Sequence, residues 1–162
     1  MEKVYGSKER HDVLIKLGKR RAVLIYGHGS EGDMGYDYRH TFDHIPTKEE
    51  VNNVIETHVN ALTDEKILSG HVWKGMNVWL SSENQFNFKA AYDLAVQTNG
   101  ETLPIMFKLG ETGSSPNYYV FKDMETFTDF HKKVFSFILS TLNDGWNEKD
   151  AAKRWVETLD LE

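Results

Sequence analysis

Residues 71–99, HVWKGMNVWLSSENQFNFKAAYDLAVQTN, constrain the fold more than any other stretch, because a turn, a cap and a helix follow one another without a gap. Trp73, Val78 and Leu80 fall on one side of a pair of short strands, and Asn77 and Trp79 on the other. Lys74-Gly75 between them reads as a tight hairpin turn. Ser82 is expected to cap the following helix, its hydroxyl accepting an N–H of the first turn while Gln85 returns a bond. Leu80 is expected to staple to Phe86. Phe86, Ala90 and Leu94, flanked by Ala91 and Ala95, then form the stripe predicted to face the core, and Asn99-Gly100 ends the helix.

The rest of the chain follows the same logic less tightly. Val13, Leu14, Ile15 and Leu17 fit either a short strand or a helical turn before Gly18. RAVLIY at 21–26 is dense in strand-forming residues. GHGSEGDMG at 27–35 holds four glycines in nine residues and predicts a loop. Tyr36, Tyr38, His40, Phe42 and His44 share one strand parity. Thr47 and Glu50 spell a capping box for a helix over 48–61, with TDEKILSG as a connector. LPIMFKL at 103–109 reads as a strand returning through a turn-rich loop at Tyr118 to Phe121. Phe127, Phe130, Val134, Phe135, Ile138 and Leu142 predict a helix over 124–142, closed by Asn143-Asp144-Gly145. Asn147 then caps a last helix over 147–159. Helices separated by hairpins favour an α+β fold: amphipathic helices packed on an antiparallel or mixed β-sheet, with an extended N-terminal arm. The expected organisation is an arm with strands over 1–45 and a compact domain over 46–162.

The chain has 162 residues, 40% of them hydrophobic, and is expected to bury a real core as one domain. It contains no cysteine, which removes thiol catalysis and disulfide crosslinks and suits a reducing compartment. No apolar run has membrane-spanning length and no signal core opens the sequence, so synthesis in the cytoplasm is expected and a membrane is not. The net charge is −6, yet residues 1–22 hold seven Lys/Arg against three Asp/Glu. This basic arm, focused on Lys19, Arg20 and Arg21, suits an acidic protein surface; without interleaved aromatics it is not expected to bind nucleic acid.

Three chemistries merit weighing. Gly27-His28-Gly29-Ser30-Glu31-Gly32 spells GxGxxG after a strand, but DMGYDYRHT beyond it does not read as the helix that would receive a pyrophosphate. His40 and His44, with Asp43, His28 and Asp33, supply metal-ligating types without a recognisable spacing. His28, Ser30 and Asp33 supply the types of a hydrolytic triad, but on a glycine-rich stretch without rigid orientation. No catalytic residue, metal or cofactor is therefore expected. The residues expected to make contacts are Lys19, Arg20, Arg21, the Tyr36, Tyr38 and Phe42 face, and Trp79, the tryptophan on the outward side of its hairpin.

Ile67-Leu68-Ser69, the hairpin Trp73 to Leu80, Glu83-Asn84-Gln85, Asn87 and the terminal helix pair carry a resemblance. Residues 62–109 and 119–159 resemble an uncharacterised domain family of bacteriophage tail and tail-fibre associated proteins. The resemblance implies a non-catalytic structural protein of the virion, acting by protein–protein docking after synthesis in the host cytoplasm. Its partners would be phage structural or tail proteins, or further copies of itself. The alternatives are a tail-fibre assembly chaperone and a small hydrolase or metal-dependent enzyme using residues 28–44.

Overall fold

The computed structural model describes residues 1–161 and has an α+β fold, its helices packed on antiparallel strands. The order is β1 (Glu2–Gly6), β2 (Val13–Lys16), β3 (Ala22–Glu31), β4 (Met34–Phe42), α1 (Lys48–Ser69), β5 (His71–Trp73), β6 (Met76–Val78), α2 (Ser82–Gln97), β7 (Ile105–Thr112), β8 (Ser115–Phe121) and α3 (Met124–Glu157). The chain divides into two compact units, Met1–Asn60 with the chain from Trp146 onward, and Ala61–Gly145.

In the first unit a four-stranded antiparallel sheet runs β1-β4-β3-β2. The N-terminal arm supplies both edges: β1 pairs with β4, and β2 with β3. This settles the ambiguity of residues 13–17 in favour of a strand. The glycine-rich 27–35 segment is not a loop. β3 runs on to Glu31, absorbs a bulge between Tyr26 and Gly29, and turns to β4 through Gly32-Asp33. Gly27 and Gly32 have φ of 70° and 57°, so these glycines supply the bulge and the turn inside a continuous hairpin. Ala22, Leu24, Tyr26 and Phe42 pack against Val51, Ile55 and Val59 of α1 and Ala152 and Val156 of α3. The connection that carries the chain from β1 to β2 is tied down at a charge. Arg10 and Arg39 both reach the buried Asp37 carboxylate, Arg39 Nε at 2.8 Å. Burial pushes Asp37 up, but the hydrogen bonds from Arg39 and Arg10 outweigh it and hold the group below the usual carboxylate range.

The Thr47 cap forms as the sequence spells it: Glu50 N–H donates to Thr47 Oγ1 at 3.2 Å, and Thr47 N–H to the Glu50 carboxylate at 2.7 Å. The helix it starts continues through TDEKILS to Ser69, well past the expected end near 61. It stops where Gly70 N–H donates to Lys66 O.

In the second unit the Lys74-Gly75 hairpin is confirmed, with φ of 49° and 76° at the two turn residues. Trp73, Val78 and Leu80 are buried and Asn77 and Trp79 face out, as the alternation predicts. Trp73 lies at the centre of the core, its ring 4.8 Å from Tyr119 and 5.0 Å from Phe130. The cap of α2 is Ser81, one residue before the expected Ser82. It accepts from Asn84 N–H, and Gln85 Nε2 donates instead to Leu80 O at 2.7 Å. The buried face of α2 is also rotated from the expected one: Phe88 and Ala95, with Ala91 and Tyr92, pack inward, and Phe86 stands 70% exposed. The anticipated staple between Leu80 and Phe86 is therefore replaced by Leu80 and Phe88 in one core. Apolar residues occupy more than one side of α2, and the aromatic set of Phe107, Phe127 and Phe130 selects the side bearing Phe88.

The two terminal helices expected over 124–142 and 147–159 are one 34-residue helix, α3. Gly145 lies inside it, buried, where an added Cβ would sit 2.6 Å from Thr63 Oγ1. Its missing side chain permits a close approach of α1, so the glycine that reads as a stop is a contact point. Phe135, expected in the core, is 61% exposed, while Phe127 and Phe130 are fully buried.

Candidate binding site

The side chains weighed for catalysis are held by separate partners. His28 projects from the bulge of β3, its Nδ1 3.3 Å from Asp12 Oδ1, which also accepts Gly27 N–H at 2.9 Å. Asp33, in the following turn, lies 3.9 Å from Lys8 Nζ. His44 bridges Asp43 Oδ1 at 2.7 Å and Glu50 Oε1 at 3.0 Å, and these carboxylates, Asp43 foremost, raise its pKa. His40 packs at 4.7 Å on Phe42, and burial lowers its pKa. Among the described residues no group of three or more His, Cys, Asp or Glu is arranged to hold a metal ion.

The contact residues read from the N-terminal region fall into two sets. Lys19, Arg20 and Arg21 are exposed on the turn between β2 and β3, where Leu17 N–H donates to Arg21 O at 2.8 Å. Tyr36, Tyr38, His40 and Phe42 do share one face of β4, and their rings meet, Tyr36 with Tyr38 at 5.7 Å, His40 with Phe42 at 4.7 Å, and Phe42 with His44, just beyond the strand, at 6.0 Å. That face is covered by the protein itself. Phe42 is buried, Tyr38 packs at a tilt on His58 of α1 at 4.2 Å, and Tyr36 sits under the Lys3 ammonium at 4.0 Å.

Trp79 has a different setting. Its N–H donates to Leu109 O at 2.7 Å, which ties the β5–β6 hairpin to the β7–β8 hairpin. Register places Met106 opposite Val120 and Lys108 opposite Tyr118, while Phe107, Leu109, Tyr119 and Phe121 point into the core. The outward side of these strands therefore presents Val72, Trp79, Met106, Tyr118 and Val120, with Trp79 46% and Met106 63% exposed. Beside Trp79 lies a cavity of about 560 Å³. Its apolar wall is Trp79; its polar wall is Asn77, Asn84, Lys108 and Glu111; Ser69, Gly110 and Val78, whose side chain lies in the core, complete it.

Each polar group of the cavity is oriented. Asn84, on the first turn of α2, donates through Nδ2 to Trp79 O at 2.8 Å. Asn77 Nδ2 donates to Glu111 O at 3.1 Å, and Asn117 Nδ2 to Asn77 O at 3.2 Å. Lys108 Nζ and Glu111 Oε1 pair at 2.6 Å, and that bond raises the lysine pKa. Gly110 is required here, because a Cβ would meet Asn77 O at 2.6 Å and Trp79 N at 3.0 Å. Ser69 Oγ donates to Glu65 O and is not paired with a base. An exposed indole, two hydrogen-bonded amides and one neutralised ion pair suit binding by stacking and hydrogen bonding.

From this site the sequence singled out Trp79 as a contact residue and Asn84 only within the Glu83-Asn84-Gln85 group. Lys108, Glu111, Met106 and Tyr118 were missed, although a signal exists: LPIMFKL and YYVF are apolar at both parities, which a strand packed on one face only does not need. No family model, curated protein or solved structure matched the chain in comparison with known proteins. Among the described residues no helix is long and apolar enough to cross a membrane.

Proposed function

We propose that the protein is a non-catalytic docking component that works through protein–protein contact, with the outward side of β5–β8 as its contact surface. The observation that supports this reading is the exposure of Val72, Trp79, Met106, Tyr118 and Val120 on strands whose other side already fills the core, with Met106 and Val120 directly paired and Trp79 tied to the same hairpin through Leu109. Apolar residues gathered in this way mark interaction sites, whereas scattered ones carry no such meaning. Residues 62–109, which resemble the phage tail and tail-fibre associated family, contain three of these five, and this supports a virion setting with phage structural proteins as partners. The exposed Lys19, Arg20 and Arg21 offer a second, electrostatic contact.

Quantitative mass spectrometry of purified phage particles tests the reading. Recovery at a fixed stoichiometry is expected, with a Met106→Glu/Tyr118→Glu variant folding normally but failing to incorporate. Presence in infected-cell lysate and absence from particles would overturn it in favour of an assembly chaperone.

A further inference from the structure

We infer that the cavity beside Trp79 is a binding site for a neutral sugar ring, the indole stacking on the C–H face of a pyranose and the surrounding side chains hydrogen-bonding its hydroxyls. A pyranose needs two unlike surfaces together: a flat apolar platform and a rim of alternating donors and acceptors. Trp79 provides the first, and Asn77, Asn84, Lys108 and Glu111 the second. An indole is suited to the platform because it is large, rigid and amphipathic. At about 560 Å³ the space lies within the range of small-molecule sites.

Charge selects the ligand class. Lys108 is spent on Glu111, so the pair presents donors and acceptors with no net charge. A phosphorylated or carboxylated ligand would meet no unmatched cation here and would have to approach the Glu111 carboxylate. The exposed basic turn of Lys19, Arg20 and Arg21 is part of the other unit and contributes nothing to this lining. The amides are held in advance of binding: Asn77 and Asn84 each spend an N–H on a backbone carbonyl, which fixes the amide plane and leaves the side-chain oxygen as an acceptor. Little side-chain freedom remains to be lost when a hydroxyl arrives.

This inference goes beyond docking and requires no second protein. The test is NMR titration of the full chain with the methyl glycosides of glucose, galactose, mannose and N-acetylglucosamine, following the four indole N–H signals. At least one glycoside is expected to move the Trp79 indole signal saturably with millimolar affinity, leaving Trp146, exposed in the other unit, unmoved. Trp79→Ala should weaken that binding about tenfold or more, the scale of one stacked aromatic contact. Asn84→Ala should weaken it by a smaller factor, and Trp79→Phe should retain part of it. No saturable shift with any of the four at about 100 mM, far above the millimolar range, would overturn the inference. So would equal binding by Trp79→Ala, or a shift confined to Trp146. A chain that binds no glycoside yet is recovered in particles would overturn the sugar site and leave the docking reading standing.

Discussion

The His58 imidazole on α1 packs against the Tyr38 ring on β4, centroids 4.2 Å apart and planes tilted by 56°, and its Nε2 is buried without a hydrogen-bond partner. Burial, helped by the N-terminal ammonium, lowers its pKa from 6.5 to about 4. A histidine with a folded pKa below its unfolded one contributes fully above the unfolded value and loses that contribution as pH falls from the unfolded toward the folded pKa. Urea unfolding should therefore show stability falling by about 2 kcal/mol between pH 7 and pH 5 on account of His58. His71, whose pKa burial also lowers, acts in the same direction. The His58→Leu variant should show a flatter profile over this range; an unchanged slope would show that His58 does not titrate in this way.

Phe130 and Phe135 lie five residues apart on one helix and should respond oppositely. Phe130 is fully buried against Trp73, Phe88 and Phe121, so Phe130→Ala should cost about 3–5 kcal/mol in chemical denaturation. Phe135→Ala, at an exposed position, should stay within about 0.5 kcal/mol. Comparable losses for the two would refute the orientation of α3.

Gly110→Ala should cost about 1–3 kcal/mol, since the new methyl meets the backbone of Asn77 and Trp79 and no flexible side chain can give way. The same variant should shift the amide signal of Trp79, which bonds to the neighbouring Leu109 carbonyl. Gly75→Ala, where a Cβ meets open space, should cost only the strain of its positive φ and leave the Trp79 signal in place.

Asp37→Ala should be more damaging than Arg10→Ala. Removing the carboxylate leaves the mostly buried Arg10 without its ion-pair partner, a loss of about 3 kcal/mol, whereas removing Arg10 leaves Asp37 still bonded to Arg39. Thermal melts of the two variants and of the parent rank them directly, and equal losses would refute the shared-carboxylate arrangement.

The parts of the fold legible in the sequence are those with a local cause. The Lys74-Gly75 turn needs positive φ at two residues, and the Thr47–Glu50 box closes within one helical turn. Alternation separates Trp73, Val78 and Leu80 from Asn77 and Trp79, and the fold buries the first set. The parts that were not legible depend on distant residues. Nothing near Gly145 shows that it must face Thr63, so the intrinsic cost of an interior glycine, about 1 kcal/mol, reads as a stop signal. Similarly, two apolar stripes compete on α2, and residues on β7 and α3 decide between them. The binding cavity was harder to read, because it is assembled from Asn77, Asn84 and Lys108, which the chain carries on three different elements.

The first unit is built from both ends of the chain, and the second is one uninterrupted segment. During synthesis the stretch Ala61–Gly145 exists in full while Leu24, Val51 and Ile55 still await Ala152 and Val156. The sheet of the first unit is thus made before the second unit and gains its complete core after it, and until residue 156 emerges its apolar face must remain partly uncovered or find a temporary cover.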